Sequence, residues 1–408
     1  MRFLLSPVGS RGDVQPMLVL GAELAGRGHT VTLAAPPNFQ RAVAGEGLAF
    51  WPTGEDTART IEENKELAER SPLTALPAQV ALLKRGVKRQ LEDIAEFSEP
   101  VDVVVAAGLS FGAHLLADKR GARYAYVCYT LPGLHSARHA PAVLPLFGLP
   151  SLANRALWSA VVNLFDGALQ GLIARERALH DLPPVPAWRS IHASRTLLAQ
   201  DELFGSVPAD AAGFAGRVPA IVRATAPAAL PDSVERFLAA AAPAQPVVYF
   251  GFGSMPAVDR ERLVASLLEV ERATSARILF FSPEATEPVS DGILALGDLD
   301  HRALFPRVDL IVHHGGAGTT ATALRAGVPQ FIVPHIVDQF FHGRRIHELG
   351  LGPRPVKKGK LAAADLIAAV DARTEYRERA RAVGSELAGT SGAREAADFL
   401  ERLSRAEG

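Results

Sequence analysis

Short apolar runs alternate with longer stretches of helical periodicity along the first half of the chain. The runs are "RFLLSPV", "HTVTLAAP", "VDVVVAAG" and "RYAYVCY", and the stretches between them include "MLVLGAELAGRG" and "GAHLLADKRG". Apolar strands separated by helical crossovers are typical of a parallel sheet that is covered on both faces. This half of the chain is therefore predicted to form a doubly wound α/β domain.

The same alternation begins again after about residue 245, in "PVVYFGFGS", "ARILFFS", "DLIVHHGG" and "PQFIVP". The segment before it, "RATAPAALPDSVERFLAAAAPAQP", is rich in Ala and Pro, which is typical of a linker with a short helix. The predicted organisation is a first domain over 1–217, a linker over 218–246 and a second α/β domain over 247–390. A helix over 391–408 follows, and packing back on the first domain is one option for it.

Composition excludes several classes of protein. Hydrophobic residues make up 48 per cent of the 408 residues, enough to bury large cores. With 43 basic and 44 acidic residues the net charge is −1, so no field attracts a nucleic acid or an anionic membrane. The lone Cys128 excludes an internal disulfide and a cysteine-cluster metal site. We find no signal peptide and no run of ~18 uninterrupted apolar residues, so we expect a cytoplasmic protein without a transmembrane segment.

The segment "VHHGGAGTTATALRAGVP", residues 312–329, carries the strongest chemical signal. A strand ends in glycines and a helix follows, which Gly327 ends. Glycines allow a ligand to approach the backbone, and the N–H groups at a helix N-terminus favour an anion such as phosphate. His314 and Thr319 add donors at the same place. His313 and His314 point in opposite directions on a strand, so one faces the anion and the other is buried; two purely structural histidines are the alternative.

Two further loops follow predicted strands. "VVYFGFGSMP" brings Gly253 and Ser254 to a strand end, where they could supply further donors to a diphosphate. "SPVGSRGDVQP" places Asp13 just before a helix predicted to begin near Pro16, at the strand ends where ligands of open α/β sheets bind. A capping carboxylate is the alternative role of Asp13, and both roles are compatible.

These stretches, together with "HRALFPRVDLIVHHGGAGTTATALRAGVPQFIVPHIVDQ", resemble the two-lobed family 1 glycosyltransferases, in particular bacterial antibiotic glycosyltransferases and sterol glucosyltransferases. The resemblance covers nearly the whole chain. It implies the GT-B fold, in which two Rossmann-like domains face a central cleft. It also implies that 1–217 binds the acceptor and that 247–390 binds the nucleotide sugar.

The resemblance also implies a role for each matching residue. Asp13 is the general base, and Asp338 and Gln339 reach the hexose hydroxyls. His301 lies near the nucleotide base. The plant members carry a glutamate where this chain has Thr322, so uridine and thymidine diphosphates are not separated by it. The residues implied in donor binding are Ser10, Gly12, Gly253, Ser254, His301, His314, Gly315, Gly316, Ala317, Gly318, Thr319, Asp338 and Gln339. The residues predicted to touch the acceptor are Leu131, His135, Phe147 and Trp158.

The function expected from these residues is an inverting transfer of a hexose from a UDP- or dTDP-sugar to a hydroxyl of an apolar natural-product or sterol-like acceptor, without a metal or other cofactor. The "DLD" at 298–300 matches a short metal-binding motif but is interpreted as a loop. One alternative is a nicotinamide- or flavin-dependent oxidoreductase, because Gly316–Ala321 fits G-x-G-x-x-A and Asp338 follows Gly318 by 20 residues. Another is a binding protein without turnover.

Overall fold

The computed structural model describes residues 1–64, 72–192, 195–252, 260–282 and 287–405. The chain forms two compact units. The first unit contains 1–223 together with 391–408, and the second contains 224–390. The crossing from the first unit to the second, between Arg223 and Ala224, falls within the segment 218–246 that the sequence predicts as a linker.

The first unit is built on a seven-stranded parallel sheet with the strand order β3-β2-β1-β4-β5-β6-β7. Its strands are β1 Arg2–Val8, β2 Thr30–Ala35, β3 Ala49–Pro52, β4 Val103–Gly108, β5 Arg123–Cys128, β6 Thr196–Ala199 and β7 Phe214–Val218. Its helices up to the crossing are α1 Arg11–Gly26, α2 Gln40–Gly45, α3 Thr57–Glu63, α4 Pro72–Ala95, α5 Ala113–Arg120 and α6 Ser151–Ala178.

The second unit has a six-stranded sheet with the order β10-β11-β9-β8-β12-β13, parallel except for the edge strand β10. Its strands are β8 Val247–Gly251, β9 Arg277–Phe281, β10 Glu287–Ser290, β11 Ile293–Leu296, β12 Leu310–His313 and β13 Gln330–Ile332. Its helices are α7 Asp232–Ala239, α8 Arg260–Thr274, α9 His301–Leu304, α10 Ala317–Ala326, α11 Gln339–Glu348 and α12 Ala363–Leu387.

The last helix, α13 Gly392–Arg405, belongs to the first unit. It packs against α1, and its Ala396 and Leu400 are fully buried in the same core as Leu5 and Met17. Arg27, at the end of α1, forms ion pairs with Asp398 and Glu401 of α13. Both apolar contacts and charges therefore hold this segment to the first unit.

Each sheet has one point where the strand order changes direction. In the first sheet this point lies between β1 and β4, and in the second it lies between β8 and β12. The helical connections leave in opposite directions there, which opens a crevice at the carboxyl ends of the two strands, and ligands of doubly wound sheets bind in that crevice. The fold thus indicates one ligand-binding edge in each unit.

Helix α6 corrects one prediction from the sequence. Among the described residues it is the one helix whose length and composition would allow it to cross a membrane. The prediction that no such segment exists was too strict, because it required uninterrupted apolar residues whereas a span tolerates a few polar ones. Trp158, Leu169 and Ile173 of this helix are buried within the first unit.

Candidate active site

Asp13 lies beside the crevice of the first sheet, in the first turn of the helix that follows β1. Helix α1 begins at Arg11, five positions before the Pro16 start predicted from the sequence, because Ser10 and Asp13 cap it reciprocally. The Asp13 Oδ2 atom accepts a hydrogen bond from the Ser10 N–H at 2.8 Å, and the Ser10 hydroxyl accepts one from the Gly12 N–H at 3.2 Å. Asp13 is therefore the third helical residue, and it satisfies a backbone donor that would otherwise have no partner.

The surroundings of Asp13 fix its side chain at the crevice. Gly108, the last residue of β4, has a left-handed φ of 64°, and a Cβ there would lie 3.0 Å from Asp13 Oδ1. The Tyr129 hydroxyl donates to the Asp13 carbonyl at 3.0 Å from the end of β5. Asp13 remains partly exposed. A carboxylate held in this way can accept a proton from a hydroxyl group bound above the strand ends.

The residues predicted to touch an acceptor occupy different environments. The His135 ring stacks on Trp158 with centroids 4.7 Å apart. Trp158 is 1 % exposed, and its indole N–H donates to the His139 carbonyl at 3.0 Å. Its observed role is therefore to hold the segment between β5 and α6 against α6. Leu131 is also buried, whereas Phe147 is 40 % exposed. The structure thus brings His135 and Trp158 together, and their contact with an acceptor stays a prediction.

The glycine loop of the second unit joins β12 to α10. Gly315 has a left-handed φ of 91°, and Gly316 is the N-cap residue of α10. The first hydrogen bond along the helix runs from the Thr320 N–H to the Gly316 carbonyl at 2.9 Å. The N–H groups of residues 317–319 precede it, and such groups at a helix N-terminus form an anion-binding site.

Two buried histidines, His313 and His342, hold the backbone of Gly315 through its N–H and its carbonyl group. The Gly315 N–H donates to His313 Nδ1 at 3.1 Å, and the Gly315 carbonyl accepts from His342 Nδ1 at 2.8 Å. Because His313 Nδ1 accepts, its Nε2 carries the proton, which it donates to the Gln330 side-chain oxygen at 2.9 Å. Full burial lowers the pKa of His313 to about 3, so this neutral form persists at neutral pH. His313 is thus the buried member of the histidine pair, and it shapes the loop.

His314, the other member of the pair, lies in front of the glycine loop. This is the switch point of the second sheet, where the strand order changes direction between β8 and β12. Its Nε2 lies over Gly316, where a Cβ would come within 2.6 Å of it. Its Nδ1 is buried and has no hydrogen-bond partner among the described residues. Burial lowers the pKa of His314 to about 4, although the nearby Gly251 carbonyl of β8 acts in the opposite direction. His314 is therefore neutral at neutral pH, and its ring carries one N–H group and one acceptor nitrogen beside the glycine loop.

The pair Asp338 and Gln339 lies at the start of α11. The Gln339 side-chain oxygen accepts hydrogen bonds from the N–H groups of His335 and Ile336, at 2.8 and 3.1 Å, which shapes the turn that precedes the helix. Asp338 lies 3.8 Å from the His342 ring. Burial raises the pKa of Asp338, and His342 opposes this shift. Both residues therefore lie close to the Gly315 loop.

Of the remaining predicted donor residues, the structure describes His301 but not Gly253 and Ser254. The ring of His301 stacks on Phe305 with centroids 4.5 Å apart, and its Nε2 is 3.0 Å from the Tyr249 hydroxyl. His301 therefore lies at the start of α9, next to β8. The Thr322 hydroxyl donates to the Gly318 carbonyl within α10 at 2.9 Å. Gly253 and Ser254 lie outside the described residues.

Sequence reasoning missed His335 and His342. His342 contacts the loop from 27 residues away, on the inner face of α11. The His335 ring stacks on Phe252 with centroids 5.6 Å apart. The sequence motif gave no signal for either residue beyond the proximity of the "DQ" pair.

Three histidines of the second unit with lowered pKa values predict a marked acid sensitivity of folding. The pKa values of His313, His314 and His335 are lowered by burial to about 3, 4 and 4. An unfolded histidine has a pKa of about 6.5, so the unfolded chain binds more protons below that pH and stability decreases as pH falls from 6.5 towards 4. We expect each histidine to lower the free energy of unfolding by up to ~1.4 kcal/mol per pH unit within this window.

Urea unfolding at intervals between about pH 5 and pH 7.5 measures this slope, and the expected window follows from the linkage relation. His313→Asn removes one titrating ring and should reduce the slope by about one proton, whatever its effect on absolute stability. A free energy of unfolding that does not change with pH below 6.5 would contradict the neutral state assigned to these rings.

Comparison with known proteins follows the same division of the chain. Residues 3–119 match the glycosyltransferase family 28 N-terminal domain, and residues 261–403 match the C-terminal domain of proteins like erythromycin biosynthesis protein CIII. The chain is 32 % identical to glycosyltransferase GtfE of Amycolatopsis orientalis, across 98 % of this chain and 97 % of GtfE. It is 31 % identical to sterol 3-beta-glucosyltransferase UGT80B1 of Arabidopsis thaliana, across 91 % of this chain and 62 % of that enzyme.

Among solved structures, glycosyltransferase VinC in complex with DTDP superposes with a TM-score of 0.68 at 20 % identity, covering 99 % of this chain and 100 % of VinC. At that identity the likeness shows the fold alone. It confirms the GT-B fold expected from the sequence.

Proposed function

We propose, since this chain belongs to the glycosyltransferases that include GtfE, that it transfers a hexose from a UDP- or dTDP-sugar to a hydroxyl group of an apolar acceptor. The donor class is supported by the structure of VinC, a protein of the same fold, in complex with DTDP. Family membership argues against the alternatives of a dinucleotide-dependent oxidoreductase and a binding protein without turnover. A sterol acceptor of one relative and the exposed Phe147 support an apolar acceptor.

One observation carries the proposal. The N-terminus of α10, with the neutral ring of His314 in front of it, lies at the switch point between β8 and β12. The N–H groups of Ala317, Gly318 and Thr319 and the helix dipole favour the diphosphate, whose negative charge grows as the bond to the hexose breaks. Because these donors are already in place, they stabilise the leaving group without reorganisation.

The chemistry proposed for the first unit is a single displacement. Asp13 accepts the proton of the acceptor hydroxyl while the hydroxyl oxygen attacks the anomeric carbon on the face opposite the diphosphate. The configuration at that carbon inverts as the bond to the diphosphate breaks. In this proposal Asp338 and Gln339 orient the hexose through its hydroxyl groups, and the donors of α10 take the role that a metal has in other transferases.

A glycine with free space around it tests where the diphosphate binds. A Cβ on Gly318 would meet no protein atom within 4 Å, so Gly318→Ala is expected to fold at least as stably as the wild type. A diphosphate seated on α10 would contact that methyl group, and its affinity should fall by about tenfold or more. Calorimetric titration of UDP, dTDP and their hexose derivatives measures this change.

Gly171→Ala provides the matched control, since this helical glycine of α6 also has open space and is not part of the proposed site. It should leave nucleotide affinity unchanged. A wild-type affinity in Gly318→Ala would place the diphosphate elsewhere. Failure of the wild type to bind or hydrolyse any nucleotide sugar, detected by mass spectrometry of the released nucleotide, would overturn the proposed function.

A further inference from the structure

His335 occupies a position that the proposed reaction does not yet use. It follows β13 by three residues and lies at the carboxyl edge of the second sheet, next to the glycine loop after β12. Its ring stacks on Phe252, which follows β8, with an angle of 27° between the planes. Since β12 lies between β8 and β13, the His335 ring reaches across the strand end from which the glycine loop departs.

The ring is held in place, yet its two nitrogens have no partner within the described part of the chain. The His335 N–H donates to the Gln339 side-chain oxygen, which fixes the backbone, and stacking on Phe252 fixes the plane of the ring. Both ring nitrogens are buried without a hydrogen-bond partner among the residues that the structure describes. Buried polar atoms in folded proteins nearly always have a partner, and leaving one without a partner is unfavourable. Two such atoms on one ring therefore indicate a ligand.

The chemistry of the ring limits what that ligand is. Burial and the positive charge of Lys358 lower the pKa of His335 to about 4, so the ring is neutral at neutral pH and carries one donor and one acceptor. A phosphate oxygen only accepts and would satisfy one nitrogen at most. Hydroxyl groups both donate and accept, so a pair of them satisfies both nitrogens.

We infer that His335 hydrogen-bonds to hydroxyl groups of the transferred hexose and contributes to the choice of sugar. This inference rests on the proposed function. It adds a third side chain to Asp338 and Gln339 on the same turn, and the link is direct because Gln339 itself holds the His335 backbone. The diphosphate remains with α10 and His314, one strand away from His335.

His335→Phe tests the inference because it keeps a ring for stacking on Phe252 and removes both nitrogens. We expect the affinity for the nucleotide sugar to fall about tenfold while the affinity for the matching nucleoside diphosphate stays unchanged. The melting temperature of the unliganded variant should be no lower than that of the wild type, since two unpartnered polar atoms are lost. His335→Gln, which restores a donor and an acceptor, should recover part of the lost affinity.

Donors that lack one hexose hydroxyl identify the contact. A deoxy donor should bind the wild type more weakly than the parent sugar does, whereas His335→Phe should bind the two equally, because the partner is already absent. Wild-type affinity of His335→Phe for the nucleotide sugar, or an equal loss for nucleotide sugar and nucleoside diphosphate, would overturn the role of His335 alone. A wild type that binds no nucleotide sugar at all would overturn the proposed function, and this inference with it.

Discussion

Asparagine in place of Asp13 is expected to lower kcat by about 10²–10⁴-fold, the usual contribution of a general base, with little change in the KM for the donor. The amide has no basic oxygen for the proton of the acceptor hydroxyl. Its oxygen can still accept the hydrogen bond from the Ser10 N–H, so the start of α1 is retained. Initial rates at saturating donor, over a range of acceptor concentrations, measure the effect.

The second unit offers a matched control for the capping role of Asp13. Asp365 is also the third residue of its helix, and its Oδ2 accepts from the Ala362 N–H at 2.9 Å, just as Asp13 accepts from Ser10. Asp365→Asn should change stability by as much as Asp13→Asn does, and it should leave kcat unchanged. If Asp13→Asn retains full turnover, the carboxylate serves only to cap α1 and another group is the base.

Phenylalanine in place of His314 is expected to lower kcat/KM for the donor by about 10²–10³-fold, the range measured for the loss of one donor to a developing negative charge. The ring remains over Gly316, but it no longer carries an N–H. Steady-state kinetics across donor concentrations give this ratio. Because His314 has a pKa of about 4 and is already neutral, the size of the loss should not depend on pH between about 6 and 8.

His347→Asn serves as the control for removing an imidazole from the same unit. Its ring interacts with the Gly352 carbonyl at 3.3 Å at the end of α11, outside the glycine loop. It should retain wild-type kcat/KM. An unchanged kcat/KM in His314→Phe would show that the amides of α10 are sufficient for the leaving group.

The sequence predicts those parts of the molecule that depend on local pattern. The long apolar runs correspond to β1, β2, β4, β5, β8, β9, β12 and β13. The end of α10 at Gly327 is confirmed, with a left-handed φ of 68°, because a glycine is favoured at that turn. The burial of His313 also follows from strand alternation. Short strands such as β6 and β10 carry too few residues for a pattern.

The start of α1 shows where local reasoning is insufficient. Proline is common at the first helical position, so the sequence predicts a helix start near Pro16. The observed start at Arg11 depends on the reciprocal contact of Ser10 and Asp13, which needs both side chains in one conformation. The sequence does contain the S-x-x-D spacing of that contact. A search for capping pairs before each predicted helix would have moved the boundary to Arg11.

The supporting residues of the candidate site depend on the order of strands, which the sequence does not reveal. His342 reaches Gly315 across 27 positions, and Gly251 and His314 meet because β8 and β12 are neighbours. His335 reaches Phe252 across a third strand end. Residue types and spacing along one segment predicted the loop that binds an anion, whereas the side chains that position it come from separate segments.

The path of the chain has a consequence for biosynthesis. The second unit, 224–390, is continuous, whereas the first unit needs α13, whose Ala396 and Leu400 complete the core under α1. During translation, the early strands must wait for the ribosome to make every residue of the second unit before their hydrophobic face is covered. A nascent chain of this protein therefore exposes an aggregation-prone hydrophobic surface for most of its synthesis. A fragment that ends at residue 223 would lack α13 and leave that surface exposed.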